Sequence, residues 1–192
     1  GNLQSSDSTA RTVSNSIVLG GNVTIGGTGN IAFTDASNTQ VSNTNNSTRT
    51  FTIASGVTTS FDQTFTANGN SGITKTGLGD MVLNGANSFT GNVTVQQGNL
   101  IAGGNVPSVN NQNGAFGRAN STINVGVANN NNDAGVLAGG AFTIGRNFQV
   151  LSQNGTDTGT RTVTFGGNAA EASTFAGNII LGNNNNTTKG IN

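Results

Sequence analysis

The sequence predicts an all-β solenoid, a parallel coil of short strands with no helix. Three observations predict it. Apolar and polar residues alternate with a period of two, as at Val23 and Ile25 or Phe51 and Ile53, which gives a strand one apolar face. Gly-Asn and Asn-Gly corners interrupt these runs, and glycine and asparagine are the residues that best tolerate left-handed turns. The strands between corners are therefore only a few residues long. Such strands bury little alone and must stack on copies of themselves.

Composition narrows the classes. Gly, Asn, Thr and Ser supply 107 of 192 residues, a bias that by itself would fit disorder. Two features oppose disorder. Only 7% of residues are charged, so little repulsion holds the chain open, and the apolar residues are placed in alternation. Threonine also favours strands. There is no cysteine, histidine or tryptophan, which excludes a disulfide framework, thiol chemistry, nucleophilic triads and the usual zinc sites. Net charge is zero, giving no electrostatic case for nucleic acid or an acidic membrane surface. No apolar run approaches the roughly 18 residues of a spanning helix. The chain does not begin with Met and reads as an excerpt or processed product, with any targeting segment outside it.

Taken in order, residues 1–10 are polar and read as a loop or frayed end. Three alternating pairs follow: Ile17 and Leu19, Val23 and Ile25, Ile31 and Phe33. Residues 35–47 form a polar stretch holding only Val41, read as a loop or weak rung. Phe51 and Ile53 resume the pattern, then Val57, Phe61 and Phe65. The most regular stretch, Ser71–Leu100, comes next. Residues 103–113 hold the only proline, Pro107, and are a predicted loop. Ala115, Phe116, Ile123 and Val125 are assigned to a further strand, and residues 129–133 to an asparagine-rich turn. Phe142 and Ile144, Phe148 and Val150, and Val163 and Phe165 are later pairs, and Phe175, Ile179 and Leu181 close the pattern before the loop at 183–192.

Self-similarity points to one architecture over residues 1–192. Gly20–Ile25, Thr90–Val95 and Ala176–Leu181 read as the same unit. Arg11, Arg49 and Arg161 each open a similar Arg-Thr strand. At about 20 residues per turn, as in other solenoids, the chain would make roughly nine rungs. With rungs about 4.8 Å apart, the rod would be on the order of 40 Å long. The ten phenylalanines are read as core. Phe165→Ala is expected to cost roughly 3–5 kcal/mol on that basis.

The stretch from Ser71 to Leu100 resembles the autotransporter-associated β-strand repeat, also called the passenger-associated transport repeat. Ile73, Thr74, Lys75, Thr76 and Gly77 match its Leu-Thr-Lys-Thr-Gly opening. Gly79, Val82, Leu83 and Gly85 fall near its Gly-x-Leu-x-Leu-x-Gly part. Ala86 to Gly91 match its Asn-Thr-Tyr-Thr-Gly turn, with Phe89 in place of the usual Tyr. Thr94, Val95, Gly98 and Leu100 match its close. Asp80 and Met81 depart from the usual Thr-Leu pair. The resemblance implies a right-handed parallel β-helix in an exported bacterial passenger that folds vectorially outside the cell, with no catalytic activity.

Candidate chemistry is sparse. The acids Asp7, Asp35, Asp62, Asp80, Asp133, Asp157 and Glu171 are isolated in sequence and read as solvated turn residues, although stacking could set Asp62 beside Asp80. The glycine clusters lack the Gly-Lys-Ser or Gly-Lys-Thr ending of a phosphate loop. Gly26–Asn30 lacks the aspartate of a calcium-binding nonapeptide repeat. Lys75, Arg11, Arg49 and Arg161 read as surface charges beside strands, some of them edge gatekeepers. The Asn-x-Ser/Thr triplets at Asn22, Asn92 and Asn154 are what so much Asn and Thr produces by chance. Thr-x-Thr pairs at Thr50, Thr64, Thr74 and Thr162 could build flat ice-binding ladders only by recurring on consecutive rungs, and their irregular spacing argues against that.

The sequence thus leads to a structural reading: a stalk, spacer or filament subunit, extracellular or on a bacterial surface, without catalytic, cofactor or metal sites. Its expected partner is another rung, either more of the same chain or a second copy end to end. The alternative is an adhesin whose loops bind a ligand such as a host or cell-surface glycan.

Overall fold

The computed structural model describes residues 1–34, 40–43, 47–67, 70–118, 121–128, 130–151 and 160–182. Among them there is no helix, and every pairing between strands is parallel. The largest sheet has eight strands: β1 (Asn2–Gln4), β4 (Val23–Gly26), β7 (Arg49–Ile53), β10 (Ile73–Thr76), β12 (Val93–Val95), β14 (Ile123–Val125), β17 (Phe148–Val150) and β20 (Ile179–Leu181). A second has seven: β2 (Arg11–Val13), β5 (Ile31–Phe33), β8 (Thr58–Phe61), β11 (Asp80–Leu83), β13 (Gly98–Ala102), β15 (Ala134–Ala138) and β18 (Val163–Gly167). A third face is made of β3 (Ile17–Leu19), β6 (Gln40–Asn43) and β9 (Thr64–Ala67), and further along by β16 (Thr143–Ile144) with β19 (Thr174–Phe175).

The chain visits the faces in a fixed order and then returns to the first. This is a β-solenoid, as the strand pattern predicts. Its turns are longer than the 20 residues expected. Ile73 pairs with Val93, twenty residues on, but Phe148 pairs with Ile179, thirty-one residues on. The eight-stranded sheet therefore spans seven turns and opens an eighth, in place of roughly nine. The extra residues lie in corners, which can lengthen without disturbing register.

The three Gly-Asn units fall on β4, β12 and β20, all in the eight-stranded sheet. The Arg-Thr unit does not hold together. Arg49 opens a strand of that sheet, while Arg11 opens a strand of the seven-stranded one and Arg161 lies just before another. Strand β6 lies inside the predicted 35–47 loop and pairs with both β3 and β9, so this stretch contains a rung. Residues 35–39 and 44–46 lie outside the described residues, as do 183–192 and Asn129. Residues 103–113 hold no strand, and Val106 makes an isolated bridge to Ile144. Ala115 and Phe116 form a turn and are not part of the strand holding Ile123 and Val125.

The core runs along the axis. Ile25, Ile53, Leu83, Val93, Leu100 and Val136 are fully buried, spread over five successive turns. Phenylalanines cluster at two levels. Phe33 and Phe61 stack one rung apart at 4.7 Å, with Phe51 and Phe65 edge-on to Phe61. Further along, Phe148, Phe165 and Phe175 meet with centroids 4.9–5.9 Å apart. Each cluster takes one ring or more from each face, so it holds the three sheets together.

Candidate functional site

The regular stretch Ser71–Leu100 forms one turn and the start of the next, through β10, β11, β12 and β13. Gly77 turns the corner after β10 with φ of 77°, and Gly98 turns one rung on with φ of 66°. A Cβ on Gly77 would collide with the Ile53 carbonyl oxygen, and one on Gly98 with the Gly77 carbonyl oxygen. Both the left-handed backbone and the close stacking require glycine there.

Lys75 is fully buried, contrary to its expected place on the surface. It stands in line with Phe51 on one neighbouring rung and Val95 on the other. Its ammonium donates to the carbonyl oxygens of Thr76 at 2.9 Å, Gly77 at 2.8 Å and Gln97 at 3.0 Å. Three donors meet three acceptors. Two acceptors belong to its own corner and one to the next turn, so the side chain ties consecutive coils. Burial pushes its pKa down to about 7, against an opposing pull from Asp80.

Asn87 makes a second tie. It is fully buried, its Oδ1 accepts the Phe65 N–H at 2.7 Å and its Nδ2 donates to the Ala115 carbonyl at 2.6 Å. One carboxamide thus bridges the turns before and after its own. A third tie, at Arg146, was not singled out from sequence. Arg146 is buried, and its guanidinium donates to the carbonyls of Phe116 and Ser121 and to Ser121 Oγ. Burial lowers its pKa to about 10.

The period of two explains these cations. Lys75 is two residues after Ile73, Arg49 two before Phe51, and Arg146 lies midway between Ile144 and Phe148. All three take inward positions and are buried, so the surface assignment of Lys75 and Arg49 is corrected. Arg11 is exposed, as expected, and pairs with Asp7 at 2.7 Å. The Asp7 carboxyl is held below its usual range chiefly by the Thr9 backbone N–H, with Arg11 adding to it. Arg161 is half-buried, with its guanidinium on the Val127 and Leu151 carbonyls.

Among the described residues the carboxylates do not gather. Asp62 and Asp80 are not stacked on each other. Asn84 donates to Asp62 at 2.6 Å and Asn99 donates to Asp80 at 2.8 Å, so each acid faces a neutral amide one rung on. Asp133 accepts the Thr162 N–H, and Glu171 accepts the Ala141 N–H. Asp35, Asp157 and Asn154 lie outside the described residues. Asn22, Asn30, Asn105 and Asn147 each accept a backbone N–H from the following turn, and the first three of them show the Gly-Asn corners as rung-to-rung connectors. Among the described residues no group of three or more His, Cys, Asp or Glu could hold a metal ion. No helix there is long and apolar enough to cross a membrane. A shallow groove beside the 103–113 loop is lined by Asn105, Pro107, Ser108, Gln112, Asn113 and Thr143, among others.

Parallel stacking, glycine-on-glycine corners and rung-bridging Lys75 and Asn87 define a self-stacking repeat. The passenger-associated-transport-repeat family model matches residues 73–102, the segment that holds Lys75 and Asn87. No curated protein and no solved structure matches the chain.

Proposed function

We propose that the chain is a segment of a right-handed β-solenoid that acts mechanically, as a stiff spacer, stalk or filament subunit outside a bacterial cell. One observation carries this reading. Turns of unequal length are held in continuous parallel register, and the buried polar groups of the matched repeat are spent on neighbouring turns, leaving none converging on a substrate. Right-handedness follows the strong general preference of parallel crossover connections. The export setting rests on the matched passenger repeat. The outermost described strand of the eight-stranded sheet, β20, leaves Ile179, Ile180 and Leu181 42%, 49% and 54% exposed, a face suited to a further rung of the same chain or a second copy. No catalytic role is assigned.

Electron microscopy of the purified chain over a concentration series tests the reading. Rods a few nanometres long that lengthen with concentration support it. Compact particles without an axis would sink it. A second reading, ligand binding by surface loops, is favoured only by the uncharged groove beside residues 103–113. A neutral glycan whose binding is abolished by Gln112→Ala and Asn113→Ala together would support that alternative.

A further inference from the structure

The outward side of the eight-stranded sheet carries a threonine array that the sequence spacing conceals. Thr50 pairs with Thr74 and Thr74 with Thr94, giving one column over three consecutive rungs. Thr24 pairs with Thr52 and Thr52 with Thr76, giving an adjacent column of three. The Thr-x-Thr pairs at Thr50 and Thr74 therefore do recur on consecutive rungs. Corners of unequal length absorb the irregular spacing. Columns are about 6.6 Å apart along the strand, and rungs about 4.8 Å apart across it.

Several features make this face unlike ordinary strand surface. The two charged residues of these strands, Arg49 and Lys75, are both buried on the inward side, and Lys75 is spent on its carbonyls. Thr24 is exposed and the other five are half-buried, as expected of side chains packed against one another on an open sheet. Among the described residues none of the six hydroxyls has a protein hydrogen-bond partner. Threonine is stiff at χ1, so methyls and hydroxyls are ordered before any ligand arrives. Both flanks are held by further parallel strands, β1 and β14. A rigid, uncharged lattice of alternating hydroxyls and methyls offers little to a charged or flexible ligand. It suits a ligand that is itself a lattice of hydrogen-bonding groups with similar repeats.

We propose that this face, from β4 to β12, binds ice. The methyls would order water between them, and the hydroxyls would join that layer to the crystal. With only three rungs in each column, the expected effect is adsorption and slowed recrystallisation, with a small freezing-point gap.

The purified chain should be tested by partition into a slowly growing ice front and by ice recrystallisation. The variants are Thr74→Lys and Thr52→Lys within the array, and Thr58→Lys on the seven-stranded sheet as control. Far-UV circular dichroism establishes that each is folded. Several-fold enrichment in ice over a non-binding protein is expected, lost in both array variants and kept in Thr58→Lys. Thr74→Val, which keeps the shape and removes one hydroxyl, should weaken partition and serves if Thr74→Lys unfolds. Exclusion of the native chain from ice, or partition unchanged in the folded array variants, would overturn the proposal.

Discussion

The two aromatic clusters are built alike and are buried differently. Each draws rings from all three faces, at centroid distances of 4.7–5.9 Å. In the first, Phe33, Phe51, Phe61 and Phe65 are all buried. In the second only Phe148 is buried, and Phe165 and Phe175 are partly open. Composition cannot account for the difference. In the first cluster β5, β7 and β8 have paired strands on both sides, and β9 is covered by Asn87 and Ser88 of the next turn, which bond the Phe65 backbone, while β18 and β19 are the outermost described strands on their faces. Burial in a solenoid is thus a property of position in the stack, and each rung is completed by its neighbours.

The sharpest test of that contrast is Phe61→Ala. The ring is 1% exposed and touches three others, so its loss should cost about 3–5 kcal/mol, measured by thermal or denaturant unfolding. A cost below about 1 kcal/mol would mean that the first cluster is not the packed core described here.

Between the clusters the stack relies on polar ties, and these should rank next. Lys75→Met keeps most of the side-chain volume but leaves the Thr76, Gly77 and Gln97 carbonyls without their donor. Unsatisfied buried acceptors cost about 1–3 kcal/mol each, so a net loss of about 2–4 kcal/mol is expected after the relief of burying a charge. The pH dependence separates this role from packing. The folded pKa of Lys75, about 7, lies below its ordinary 10.5. Between those values the unfolded chain binds the extra proton, so stability should rise with pH from about 7 to 10.5 and be lowest, for this group, below 7. Lys75→Met should flatten that rise in unfolding curves taken across the window. A slope unchanged in the variant would remove Lys75 as its source.

Much of this was legible in the sequence, and the failures have one physical source. Alternation located the strands, and the Gly-Asn corners marked β4, β12 and β20 because their asparagine or glycine must meet the adjacent turn. Alternation also placed Lys75, Arg49 and Arg146 on the inward side. For Lys75 and Arg49 charge argues for the surface and parity overrides it, and Arg146 follows the same parity. What decides for parity is a supply of backbone carbonyls at the corners, visible only once the turns are stacked. Register was hidden for the same reason. Corner length varies freely, so neither the turn count nor the alignment of Thr50 on Thr74 follows from spacing. Phe165 has the parity of a core residue and is only half-buried, because a sequence does not say how many rungs flank a residue.

Phe165→Ala is accordingly the weaker partner of Phe61→Ala. With the ring half-buried, a cost of about 1–2 kcal/mol replaces the 3–5 expected from sequence. If longer flanking sequence or a second copy adds a rung there, the cost should climb toward that of Phe61. Equal costs in the isolated chain would erase the distinction between the clusters.

The smallest effect has the opposite sign and lies next to the first cluster. Thr59 is fully buried on β8, aligned with Ile31 on one side and Met81 on the other. Among the described residues its hydroxyl has no hydrogen-bond partner. A buried hydroxyl left unpaired costs free energy that an apolar group of the same shape does not, so Thr59→Val should stabilise the chain by roughly 1 kcal/mol. Raising the melting temperature here, while Thr58→Val on the outward side leaves it nearly unchanged, would show that inward parity governs even where the residue is polar. A destabilised Thr59→Val would mean that the hydroxyl holds a partner inside the coil.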